Sequence, residues 1–152
     1  MPAPERKSPR LRDYDYATSG AYLVTVCARD RACLFGTVIE DEVRLSKIGE
    51  TVARAWIEIP SHFDGVALDQ FVVMPNHLHG IVWLSRAGHA PPLPLLIGSF
   101  KSAASRAAGR ALWQRTFHDH VIRRESDLQA LRRYVIENPL KWALDREDPF
   151  RA

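Results

Sequence analysis

The sequence predicts an α+β domain in which an antiparallel sheet carries helices on one face, with further helices added at the C-terminus. Three observations predict it. Apolar and other residues alternate with a period of two in "AYLVTVCA" (21–28), and apolar runs flank a Pro-Asn step in "FVVMPNHLHGIVWL" (71–84). Apolar residues also recur at helical spacing after Ser46 and again from Leu96 onward. The order that results is strand, helix, strand, strand, helix, strand, which is that of a split βαβ, ferredoxin-like (RRM-like) sandwich.

Each element has its own signal. At 152 residues the chain suits one domain with a real core, and 46% hydrophobic against 26% charged residues excludes a disordered chain. Residues 1–19 are polar and Pro-containing and read as a flexible basic arm carrying Arg10, Arg12, Tyr14 and Tyr16, leaving 20–152 as the domain. In the first strand Tyr22, Val24 and Val26 oppose Leu23, Thr25 and Cys27. After the turn-like "RDRAC", "LFGTVIEDEVRL" reads as a short strand pair. Ser46 is an N-cap for a helix with Ile48, Val52, Ala55, Trp56 and Ile59 at helical spacing, and Pro60 stops it. "ALDQFVVM" and "HLHGIVWL" form a hairpin about Pro75-Asn76, because both residues favour tight turns.

"SRAGHAPPLPL" is rich in turn-formers and reads as a flexible connector. The helix after it places Leu96, Phe100, Ala103 and Ala107 on its apolar face, with Lys101, Arg106 and Arg110 beside them. "TFHDHVIR" is the fourth main strand. Ser126 with Gln129 resembles a capping box opening a helix that buries Leu128, Leu131 and Val135. Pro139 disfavours a helical Asn138, so this helix is expected to end near Glu137, and "PLKWALD" to form a short closing helix that packs Trp142 on the body.

The formal charge is +3, with Lys101, Arg106, Arg110, Arg115, Arg123, Arg124, Arg132, Arg133 and Lys141 gathered in the second half. That distribution suits a polyanionic partner. Cys27 and Cys33 form no CxxC pair and no secretory leader precedes them, which points to a reducing cytoplasm. No apolar run is long enough to span a membrane.

Two pairs of residues carry chemistry. Strand residues two apart project from one face, so His77 and His79 can chelate a divalent ion or simply hydrogen-bond at a sheet edge. Tyr134 and Asn138 are four apart on a helix, so a phenol and an amide can approach one site. They read equally well as a core cover and the N-cap of the helix that Pro139 opens.

Taken together, "VVMPNHLHGIV", "LWQRTFHDHVIRRESDLQALRRYVIENPLKWALDRE" and "RLRDYDYATSGAYLVTVCARDRACLFG" resemble the REP-associated tyrosine transposases, single-tyrosine members of the HUH nuclease superfamily. The resemblance runs from about Arg10 to the C-terminus, and it makes 20–152 a catalytic domain. It implies a metal-dependent single-stranded DNA endonuclease and strand transferase acting at hairpin-forming palindromes. His77, His79 and Asn138 are the implied metal ligands, with Glu137 the alternative third, and Tyr134 the implied nucleophile, left joined to a 5′ phosphate. Mg²⁺ is the implied ion, with Mn²⁺ also able to serve. Single-stranded or hairpin DNA is the implied partner, the protein acting as monomer or homodimer in the cytoplasm of a bacterium, at the nucleoid.

Simple chemistry agrees with that assignment. A phenol of ordinary pKa near 10 is mostly protonated at neutral pH and needs an activated phosphate to attack. Backbone phosphates would find Arg10, Arg12, Lys101, Arg115, Arg123, Arg124, Arg132 and Arg133, and unstacked bases Trp113 and Phe117; a solvated helix face and core aromatics explain the same residues. Two other functions compete. His118 and His120, with Asp119 nearby, would complete a four-histidine zinc hydrolase if their strand lay beside that of His77 and His79. A non-catalytic module binding single strands is the other, although "HLHGIVWL" offers only Trp83 as a stacking aromatic.

Overall fold

The computed structural model describes residues 20–144. The arm residues Arg10, Arg12, Tyr14 and Tyr16 lie outside them. Six strands, β1 (Gly20–Cys27), β2 (Gly36–Ile39), β3 (Glu42–Leu45), β4 (Val66–Met74), β5 (His77–Leu84) and β6 (His118–Ile122), alternate with helices α1 (Lys47–Ile57), α2 (Ile59–His62), α3 (Leu93–Ala108) and α4 (Glu125–Leu144). The main sheet has the order β4-β5-β1-β6 with every neighbour antiparallel, while β2 and β3 form a separate hairpin. This is the ferredoxin-like α+β arrangement the pattern predicts.

One face of the sheet builds the larger core. Tyr22, Val24 and Val26 of β1 and Leu78 and Val82 of β5 meet Val52 and Trp56 of α1 and Leu93, Leu96, Ile97 and Phe100 of α3. Trp56 and Phe100 pack edge to face at 5.1 Å, the arrangement aromatic quadrupoles favour. Gly80 makes room for this: a Cβ there would come within 2.4 Å of the Trp56 ring. Ser46 caps α1 as expected, its Oγ accepting from the Gly49 N–H at 3.0 Å.

Three local expectations need correction. The helix α3 starts at Leu93, inside the segment read as connector, because Pro94 is tolerated in a first turn. Its buried stripe runs through Leu93, Leu96, Ile97, Phe100 and Ala104, while Ala103 and Ala107 are exposed. At the start of α4 the helix already includes Ser126, and Gln129 donates to the Glu125 carboxylate instead of closing a capping box.

The largest correction is that α4 continues without a break through Pro139. A proline inside a helix costs about 3 kcal/mol in a hydrogen bond and a clash. Here residues on both sides of it are buried, Asn138 before it and Trp142 after it, the latter against His77 of β5, so tertiary contacts outweigh the local preference. The helix lies on the sheet face opposite α1 and α3, over a smaller cluster of Leu23, Ile81, Leu128 and Val135.

Candidate active site

The register of the sheet decides which side chains meet α4. Thr25 pairs with His79 and Cys27 with His77 across β1 and β5, and Thr25 pairs with His118 and Leu23 with His120 across β1 and β6. Residues opposite one another share a face, so all four histidines look toward the α4 side.

His77 and His79 are buried, with ring centroids 4.5 Å apart. Asn76, itself buried at the hairpin turn, fixes the first ring. Its amide nitrogen donates to the Arg31 carbonyl at 3.4 Å, which turns its oxygen toward His77 Nδ1 at 2.8 Å. An amide oxygen only accepts, so neutral His77 keeps its proton on Nδ1 and presents a lone pair at Nε2. Thr25 Oγ1 lies 2.8 Å from His79 Nδ1, and a hydroxyl can accept in the same way. The turn is anchored in its own right: Ala28 N–H donates to the Asn76 carbonyl and Phe35 N–H to that of Pro75.

Burial pushes the His77 pKa down to about 2, the neighbouring His79 adding to the fall and a hydrogen bond with the Asn138 side chain opposing it. Burial likewise lowers His79 to about 4. Both rings therefore stay neutral at physiological pH, the state in which imidazole binds metals.

The helix brings the second pair of residues to the first. The ring of Tyr134 sits edge-on to His79 at 5.3 Å between centroids, and Trp142 lies 6.3 Å from His77. Between them Asn138 donates its amide N–H to the Tyr134 carbonyl at 3.2 Å, which reserves its oxygen for the side toward His77. Glu137 is exposed. Two imidazole nitrogens and an amide oxygen form a donor set that fits a divalent ion of intermediate hardness. Among the described residues no group of three or more His, Cys, Asp or Glu side chains could hold an ion, so a site here depends on the amide. Lys141 Nζ lies 5.6 Å from the centroid of the Tyr134 ring.

A salt bridge holds α4 in place. Arg132 makes two hydrogen bonds to Asp69, at 2.9 and 2.7 Å, and Trp83 Nε1 donates to the same carboxylate at 2.9 Å. Asp69 stands where β4 carries one extra residue between Leu68 and Phe71, a bulge that re-aims a side chain. The Arg132 hydrogen bonds hold its carboxyl down at about 2, with the Trp83 bond helping.

Beside Tyr134 lies a cavity of about 330 Å³ lined by Leu23, Thr25, His79, His118, His120, Leu131 and Tyr134. The strands of the two HxH pairs are not neighbours, since β1 runs between β5 and β6, which removes the premise of the four-histidine zinc site. The basic residues divide into two groups. Lys101 donates to the carbonyls of Gln114 and Arg115, and Arg132 is bound to Asp69. Arg115, Arg123, Arg124 and Arg133 are exposed. Trp113 packs on Phe35 and Phe100 and Phe117 is buried, so both serve the core.

Sequence reasoning missed Asn76, Thr25 and Asp69 as residues that orient the site. Asn76 carried a signal, its place directly before His77, but its turn-forming role hid it. For Thr25 and Asp69 only the strand register reveals the contact.

No model of a protein family matches the chain. An uncharacterized protein of Haemophilus influenzae is 31% identical over 165 aligned positions, covering 93% of this chain and 92% of that one. A structure of a REP-associated tyrosine transposase bound to a REP hairpin superposes with a TM-score of 0.70 at 23% identity, over 90% of this chain and 76% of that one. A Deinococcus radiodurans protein assigned as a transposase does so with a TM-score of 0.50 at 16% identity, over 88% of this chain and 98% of that one.

Proposed function

We propose that this chain, which belongs to one family with that Haemophilus influenzae protein and is built on the fold of a REP-associated tyrosine transposase, is a transposase-like enzyme that cuts and rejoins single-stranded DNA beside a hairpin-forming palindrome. One observation carries the reading. His77, His79, Asn138 and Tyr134, from one strand and one helix, meet on a single sheet face, with His77 and His79 4.5 Å apart and Tyr134 5.3 Å beyond His79.

In this reading Tyr134 Oη attacks the scissile phosphorus, a bond forms between them, and the bond to the DNA 3′ oxygen breaks. The phenol gives up its proton and the departing 3′ oxygen takes one, so charge balances. A 5′-phosphotyrosine ester remains, and it keeps the energy of the broken linkage. A free 3′-OH can then attack the same phosphorus and displace Tyr134, rejoining the strand without ATP. His77, His79 and Asn138 would hold a divalent ion, Mg²⁺ or Mn²⁺, which when bound polarises the phosphate and offsets its growing charge. Asn76 and Thr25 keep the imidazoles oriented, and Arg132 bound to Asp69 keeps α4 seated so that Tyr134 faces the phosphate. The exposed Arg115, Arg123, Arg124 and Arg133 supply charge along the strand's path.

The test is denaturing electrophoresis with a 3′-labelled single-stranded substrate, which follows the fragment downstream of the cut. Label should migrate with the wild-type protein and not with Tyr134→Phe, which loses one oxygen and keeps its ring. An adduct persisting in the variant places the nucleophile elsewhere, with Tyr14 and Tyr16 next in line. Binding without any strand cleavage favours the non-catalytic module.

A further inference from the structure

We infer that His118 and His120 form a second contact site for the DNA strand, donating hydrogen bonds to the phosphates that adjoin the scissile one; the inference rests on the function proposed above. The placement, exposure and surroundings of the two side chains carry it. Both residues line the same cavity as Tyr134. Their register opposite Thr25 and Leu23 puts them on the face of the sheet that carries the candidate nucleophile.

Their environment differs from that of the first pair in a telling way. His77 and His79 are buried under α4, whereas His118 and His120 are exposed on the outermost strand of the sheet. A strand arriving at Tyr134 from that open side has to pass them. With β1 between the two pairs, His118 and His120 lie across Thr25 from His79, with which they share the cavity.

The chemistry of the pair suits a polyanion. Imidazole in either charge state has at least one N–H to offer a phosphate oxygen, so the contact does not depend on titration. Side chains two apart on a strand are separated by about 6.6 Å, a step comparable with that between successive phosphates of an extended single strand. Leu23 and Leu131 give the same cavity apolar walls against which a sugar or base can lie. Directly after β6 come Arg123 and Arg124, both exposed, the second 3.7 Å from the Asp127 carboxylate, which add positive charge at the end of the strand.

The experiment pairs protein variants with single neutral linkages in the DNA. Methylphosphonates are walked one at a time through the positions on either side of the cut, with wild type, His118→Ala, His120→Ala and the double variant. A hydrogen bond to a charged group accounts for a factor of roughly ten or more in affinity. Wild type should show KM raised about tenfold by a neutral linkage at one or two positions next to the cut. The double variant should show KM already raised by that factor or more, and no further change when the same linkages are neutralised. His118→Gln and His120→Gln, which keep a donor, should recover part of the loss. Unchanged KM in the double variant overturns the inference, as does a variant that remains as sensitive as wild type to every neutral linkage. A fall in kcat with KM unchanged also overturns it, because the pair would then act in the chemical step. Wild type on unmodified DNA is the control: absence of a covalent adduct there refutes the function itself, and the inference with it.

Discussion

Replacement of Asn76 by alanine tests how the site is held together. The Asn76 amide is buried and its oxygen accepts the His77 Nδ1 proton at 2.8 Å. Alanine leaves that buried N–H without this acceptor, and an unsatisfied buried donor costs about 1–3 kcal/mol. For a chain of this size the loss corresponds to a fall in Tm of roughly 3–10 °C. A second effect falls on the ring itself. With the Asn76 acceptor gone, His77 can move its proton to Nε2, and loss of such an orienting partner lowers metal affinity by about 10- to 100-fold. Asn76→Asp keeps an acceptor at the same reach and should recover most of the metal affinity. The assays are thermal denaturation without metal and calorimetric titration with Mn²⁺. A Tm that falls while Mn²⁺ affinity stays at the wild-type value would refute the reasoning, since the asparagine would then stabilise the turn without setting the tautomer.

Three further outcomes are expected. Excess chelator should abolish strand cleavage, and His77→Ala or His79→Ala should do the same with folding retained by circular dichroism; wild-type cleavage undiminished in chelator would exclude the ion. Single-stranded DNA flanking a hairpin should be cut well and its fully duplex counterpart poorly, with affinity falling as salt rises because bound counterions are released; equal cutting of both strands' forms would contradict this. Gly80→Ala should destabilise the fold by about 1–3 kcal/mol through overpacking, since the new methyl meets the Trp56 ring at 2.4 Å; urea denaturation measures it, and an unchanged midpoint would mean the ring can yield.

Much of the sheet was legible in the chain. The alternation in "AYLVTVCA" and the Pro-Asn step mark β1, β4 and β5 to within a residue or so, because a period of two is a strong local signal. The two HxH pairs and the Tyr134, Asn138 pair stand out for the same reason: each lies within one element. Beyond the β4–β5 hairpin and the β2–β3 pair, both of which form as expected, the register between strands was not legible. Nothing in "FHDHVIR" tells that its strand lies beside β1, two strands from His77, and only that register puts His118 and His120 beside Tyr134. Pro139 misled because its local cost is real, and the burial of Trp142 that offsets it is a long-range contact. Asp69 was hidden by a bulge, which no periodicity announces.

The unbroken course of α4 has a consequence for how such a chain can change in length. Tyr134, Asn138 and Trp142 recur every fourth residue along one stripe of a single helix, and Pro139 does not uncouple them. Each residue of an α-helix turns by about 100°, so one residue inserted between Tyr134 and Asn138 would swing the amide and the tryptophan together away from the sheet. Substitutions there can be absorbed singly, but a shift of phase cannot. Insertions and deletions should be tolerated better in stretches that carry no angular relation to the site, such as the β2–β3 turn, and the span from Leu128 to Trp142 acts as a ruler of fixed length.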